Sequence, residues 1–189
     1  METLTINASK AALTEAQFYN ICRQNEGLRF EMTAQGDLIV MPPVGGLSGD
    51  REMSLGAKVW NWNDASGLGR VFSSSTVFQL PNGAKRSPDV AWVEQSRWDN
   101  LSKEEQERFP PLAPDFVIEL RSRTDALDVL QAKMQEYAEN GVRLGWLINP
   151  QDQQVEIYQP GQDVEIKSLP TQLSEEEILP GFTLDLPLF

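Results

Sequence analysis

The chain has 189 residues, 40% of them hydrophobic, including five Trp and eight Phe, which suffices for one packed α/β domain over residues 1–189 and leaves little for a second. It has no histidine and one cysteine, Cys22, which excludes Ser-His-Asp and Cys-His catalysis, imidazole- or thiolate-bound zinc, and an internal disulfide. A net charge of −12 opposes bulk attraction to nucleic acid.

Catalysis in such a chain must come from carboxylates, Lys, Arg, Tyr, Ser or Thr, helped by a hard cation that prefers oxygen ligands. The start METLTINASKAALTEAQF lacks the basic region and apolar run of a signal peptide. No apolar stretch approaches the roughly 18 residues of a membrane span, and with a lone cysteine a cytoplasmic location is expected. Acidic residues gather at 104–107 and 175–177. Lys85-Arg86, Arg121 and Arg123 offer the local basic groups through which an anionic substrate could be met. The aromatic content suggests a homodimer with its apolar interface around Trp92 and Trp98.

Thr14-Glu-Ala-Gln17 reads as a capping box opening a helix to Asn25. GLRFEM and GDLIVM, separated by Thr-Ala-Gln, predict a hairpin. The Met-Pro-Pro-Val-Gly-Gly loop precedes a second helix, capped by Ser48 or Asp50 and running toward Trp62, with Met53, Leu55, Ala57, Val59 and Trp60 available for its buried side. Gly-Arg-Val-Phe, TVFQL and PDVAWVE are strands, the second closed by the turn Pro81-Asn82-Gly83. Ser102-Lys-Glu-Glu105 opens a short charged helix. DFVIEL (115–120) is an apolar strand, followed by a helix from about Asp125 to Asn140 with Gly141 just past its end. LGWLIN, QVEIY and VEIK complete the sheet, and a last capping box, Ser174-Glu-Glu-Glu177, opens the tail. The strand, helix, strand order over 115–149 predicts a mixed sheet flanked by helices.

Two carboxylates stand where charge is expensive. Asp89 begins an apolar strand, and Glu119 lies near the end of DFVIEL. Alternation puts Glu119 with Val117 on one face, and Phe116, Ile118 and Leu120 on the other. A charge there must be paired or metal-bound; a salt bridge from Glu119 to Arg121 or Arg123 would serve as well. On the following helix, at about 100° per residue, Leu127, Leu130, Met134 and Tyr137 form an apolar stripe. Lys133 sits at its margin, with Glu136 and Glu139 on the wet side. Its stem can run along the core and present the ammonium to the sheet, whether as a functional group or as an ordinary snorkelling lysine.

Ser87-Pro-Asp89-Val-Ala-Trp, Pro114-Asp-Phe-Val-Ile-Glu119-Leu-Arg-Ser122, Asp125, Lys133-Met-Gln-Glu-Tyr137 and Gly141-Val-Arg-Leu-Gly-Trp146-Leu-Ile-Asn-Pro150 together resemble the Uma family of restriction-endonuclease-like proteins. The resemblance extends through Met41-Pro-Pro and Leu179-Pro-Gly-Phe, nearly the whole chain. It implies a restriction-endonuclease-like core of the PD-(D/E)XK superfamily, with an N-terminal helix and hairpin added. It also implies hydrolysis of DNA phosphodiesters with Mg²⁺ or Mn²⁺. Under it Asp89 is the PD aspartate and Glu119 the second acid, with the Leu120 carbonyl as a third metal ligand. Arg121 stands where the superfamily usually has lysine, a role that Lys133 would take over from the helix, while Arg121, always protonated, would hold phosphate. Glu52 resembles the extra acid on the first core helix. Ser122-Arg-Thr-Asp125 replaces the usual Ser-Pro-x-Asp. Set against the nuclease reading, the net charge favours a nuclease fold retained as a non-catalytic interaction module.

Overall fold

The computed structural model describes residues 3–186. In chain order its elements are β1 (Leu4–Ile6), α1 (Glu15–Gln24), β2 (Arg29–Met32), β3 (Leu38–Met41), α2 (Gly46–Ser66), β4 (Gly69–Ser73), β5 (Phe78–Gln79), β6 (Lys85–Arg86) and β7 (Val90–Glu94). They continue with α3 (Gln95–Asp99), α4 (Lys103–Glu107), β8 (Phe116–Leu120), α5 (Leu127–Glu139), β9 (Leu144–Asn149), β10 (Gln154–Tyr158), β11 (Glu165–Ser168), β12 (Thr171–Ser174) and β13 (Thr183–Leu186).

Two of the three expected capping boxes form where helices begin: Thr14 accepts from the Gln17 amide, and Ser102 from the Glu105 amide, satisfying donors the helix cannot. The main sheet runs β11-β10-β9-β8-β7-β4, in which β8 and β9 are parallel. Its other neighbours pair antiparallel. The βαβ unit over β8, α5 and β9 supplies that parallel pair. A second sheet, β1-β3-β2-β6-β5, holds the expected hairpin of β2 and β3, and β12 pairs with β13.

Every residue of β8 and β9 is buried, because both sheet faces are covered. On one face Phe116, Ile118 and Leu120 join Leu55 and Val59 of α2 and Leu173, Leu184 and Leu186 of the C-terminal strands. On the other, Val117 packs with Met134 and Tyr137 of α5. The alternation read from DFVIEL is therefore the one observed. The N-terminal sheet has its own core of Phe18, Phe30, Met32, Leu38 and Val77.

Several expectations are corrected. α2 starts at Gly46 without a side-chain cap, and only Leu55 and Val59 are fully buried on it. Met53 and Trp60 are 72% and 54% exposed, since the helix meets the sheet along one narrow stripe. Trp92 is 2% exposed, its indole N–H bonded to Asn63 Oδ1 at 2.8 Å, and so offers no dimer surface; Trp98 is half-buried against the core. Lys85 and Arg86 form strand β6 and are buried rather than a basic surface patch. Ser174-Glu-Glu-Glu177 opens turns, not a helix, because β12 and β13 must close on each other across it. No helix among the described residues is long and apolar enough to cross a membrane.

Gly69 shows how tightly β4 meets β7. A Cβ there would lie 2.2 Å from the Val93 carbonyl oxygen and 2.6 Å from the Trp92 ring. Gly69→Ala should therefore cost about 1–3 kcal/mol or more by overpacking, read as a lowered urea midpoint with unchanged m-value.

Candidate active site

The site forms where the two sheets meet at α5. Glu119 projects from β8 toward α5, where Lys133 Nζ lies 2.8 Å from its Oε1 and the Tyr137 hydroxyl donates to the same oxygen at 3.0 Å. Both helical partners lie on the α5 face turned to the sheet, four residues apart. Asp89, just before β7, accepts the Leu120 amide on Oδ2 at 2.8 Å, which ties the start of β7 to the end of β8. Asp89 remains half-buried, so solvent reaches it.

The residue that sequence reasoning missed is Glu31 on β2. It is 2% exposed, and Lys133 Nζ lies 2.9 Å from its Oε1. Its carboxylate also accepts the Ser87 amide at 2.9 Å and pairs with Arg86 at 3.0 Å. Arg86 Nε in turn meets Glu136 at 2.6 Å, so Glu136 is not on a wet face. The available signal was one acid between Phe30 and Met32 in a strand whose apolar residues face a core. Glu52, on α2, receives the Ser74 hydroxyl at 3.4 Å and stands within electrostatic reach of Asp89 and Glu119.

Asp89, Glu119, Lys133 and Glu52 thus meet in one cluster. Arg121 turns away from it: its guanidinium pairs with Asp152 at 2.8 Å and donates to Asn149 Oδ1 and the Asp125 carbonyl. The alternative partner for Glu119, an arginine of the 121–123 segment, is thereby replaced by Lys133.

Comparison with known proteins decides the family. The model of the Uma2 family, described as "Putative restriction endonuclease", matches residues 15–187. The chain belongs to the Uma2 family. A crystal structure titled as that of a "putative nuclease" from Anabaena variabilis shares its fold, with a TM-score of 0.69 at 19% identity over 82% of this chain and 86% of that one. No curated protein matches.

In this Uma2 member, burial is the largest influence on each carboxyl of the cluster. At Glu31, Lys133 and Arg86 outweigh it and hold the pKa below its ordinary value. At Glu119 burial wins, Asp89 and Glu31 add like charge, and the carboxyl is pushed up to about 8 against the pull of Lys133. Burial and the neighbouring Glu52 push Asp89 up to about 7, against the Leu120 amide, Lys133 and Arg29. Glu52 is raised too, chiefly by burial. Burial disfavours the Lys133 ammonium, but Glu119 and Glu31 outweigh it, and its pKa rises. The raised values of Glu119 and Lys133 pull opposite ways for one bonded pair. The ammonium prevails because two carboxylates share it, so Lys133 stays charged. The shortage of positive charge falls on Glu119, Asp89 and Glu52.

That shortage is what a divalent cation would relieve. Among the described residues no three Asp, Glu, Cys or His side chains group closely enough to cage a metal alone. Two carboxylates completed by a carbonyl and water are, however, the usual donor set for Mg²⁺, and Asp89 and Glu119 fit it.

Since the folded pKa of Asp89 lies above the ordinary 3.8, its contribution to stability is complete below about pH 4 and is lost as pH rises through about 7. Asp89→Asn should gain on wild type between about pH 5 and pH 8 in chelator-containing buffer. After discounting for solvent access, the gain is about 1–2 kcal/mol, measured by urea denaturation at both pH values. A constant gap would mean that Asp89 ionises at its ordinary pH.

Proposed function

We propose that this Uma2 member is one catalytic domain, an endonuclease that hydrolyses phosphodiester bonds of DNA with Mg²⁺ or Mn²⁺. The observation that carries this reading is the convergence of two charge-starved carboxylates, Asp89 and Glu119, with a fully charged lysine, Lys133, beside them. A bound divalent cation would neutralise phosphate charge and make a water molecule acidic enough to attack at neutral pH.

The chain's own groups divide the remaining work. Asp89 and Glu119 would hold the cation as ionised carboxylates, with the Leu120 carbonyl available as a third donor. Lys133, fixed by Glu31 and Glu119, orients the attacking water and offsets the charge that builds on the phosphate. Tyr137, whose pKa burial and the Glu119 and Glu31 carboxylates hold well above the ordinary value, stays protonated and steers Glu119. Glu52, tethered to Ser74, adds negative charge beside Asp89. Arg121 binds phosphate when it leaves Asp152.

The test is nicking of supercoiled plasmid at low salt. Wild type should cut with Mn²⁺ or Mg²⁺ and stop with chelator, while Asp89→Asn and Glu119→Gln fall by about 100-fold or more. Addition of Mn²⁺ should raise the Tm of wild type but of neither variant. Lys133→Ala strands two buried carboxylates at a cost of about 3–5 kcal/mol, so its activity counts only once its Tm shows a folded protein. The net charge of −12 favours a second reading, a non-catalytic interaction module. Wild type that binds Mn²⁺ yet cuts no DNA would decide for it.

A further inference from the structure

Of the two cations that bear on Asp89, Lys133 is committed to Glu31 and Glu119. The other, Arg29 on β2, makes no ion pair within 4.0 Å among the described residues. Its one hydrogen bond there is long, 3.4 Å from Nη1 to the Ser74 carbonyl. Alternation places Arg29 on the same face of β2 as Glu31, while Phe30 and Met32 enter the N-terminal core. The Arg29 charge bears on Glu52 and Asp89 without an ion pair to either, and a guanidinium so placed has donors to offer a phosphate.

Arg29 also forms the wall of a cavity of about 210 Å³ between the N-terminal sheet and the loop after β4. Ser74 and Ser87 belong to that wall as well, and each is bonded into the carboxylate cluster: Ser74 through its hydroxyl to Glu52, Ser87 through its amide to Glu31. The cavity therefore opens directly beside the proposed cutting centre. Its remaining lining is mostly apolar, with the half-buried Phe109, Leu28, Val77 and Cys22, and its rim carries the exposed Ser75 and one acid, the exposed Glu26. The volume falls below that of a whole small-molecule pocket and suits one planar base, not a base pair. A base leaving its stack is held by such aromatic and guanidinium faces.

The charge balance agrees. A duplex reader neutralises many phosphates with basic surface, and this chain, at −12, has Lys85 and Arg86 buried. One base and one phosphate can be held without such a surface.

We propose that Arg29 and this cavity form a nucleotide subsite, so that the preferred substrate is DNA with an unpaired nucleotide beside the cut. The inference deepens the nuclease reading and rests on it for the cut itself. The subsite takes the base against the half-buried Phe109 and the adjoining phosphate on Arg29.

The experiment uses the full-length protein with a labelled single-stranded oligonucleotide and its blunt duplex. Binding is followed by fluorescence anisotropy on Asp89→Asn protein and cutting on wild type with Mn²⁺. Single strand should bind at least about tenfold tighter than duplex. Arg29→Gln should weaken that binding about tenfold and flatten its salt dependence by about one ion, and Ser75→Trp, which fills the cavity from an exposed loop position, should bring single strand down to duplex affinity. Equal binding of the two DNA forms, or both variants binding like the parent, overturns the subsite, and metal-dependent plasmid nicking then still upholds the nuclease reading. A strand preference abolished by Ser75→Trp, in a protein that cuts neither form, upholds the subsite and removes the nuclease.

Discussion

One buried ammonium holds the two sheets to a common point. Lys133 touches Glu31 from the N-terminal sheet and Glu119 from the main sheet, each within 2.9 Å, and the two acids are buried while the lysine side chain is only 12% exposed. A buried ion pair rarely adds net stability, because desolvation consumes most of the Coulomb gain, but removal of one partner is costly. The triad therefore acts as a register device: the hairpin of β2 and β3 must dock where its acid meets the lysine. Arg86 and the Ser87 amide satisfy the other positions on Glu31, which leaves Glu119 as the carboxylate with capacity to spare.

Asp89 and Glu52 extend the same imbalance. Three acids compete for less positive charge than they need, and a protein maintains such an arrangement at the expense of its own stability. Under the reading proposed above, the arrangement would serve as a seat for a hard cation.

How much of this could be read in advance depended on the period of each element. Glu119 and Lys133 were legible because a strand of period two and a helix of period 3.6 each expose an acid or base at one angular position. The capping boxes at Thr14 and Ser102 were legible because their hydrogen bonds are local. Glu31 was not, since its partners Arg86 and Lys133 come from distant segments that only tertiary pairing brings together. Met53 and Trp60 misled because α2 packs along a stripe too narrow for all its apolar residues. Trp92 misled because a count of aromatics says nothing of whether an indole N–H has found a carbonyl, as it does at Asn63. The Ser174 box failed because strand pairing outcompeted a marginal helix start.

The parallel pair β8 and β9 has a consequence for the order of assembly. Glu119 and Tyr137 are eighteen residues apart, on a strand and helix that can form early from nearby chain. Glu31 and Asp89 come from earlier segments and join only after long loops close. A nascent or partly unfolded molecule therefore carries half of the constellation at most, and the acids and the lysine coincide only in the finished fold. On the proposed nuclease reading, a misfolded copy of the chain would therefore lack a complete cutting centre.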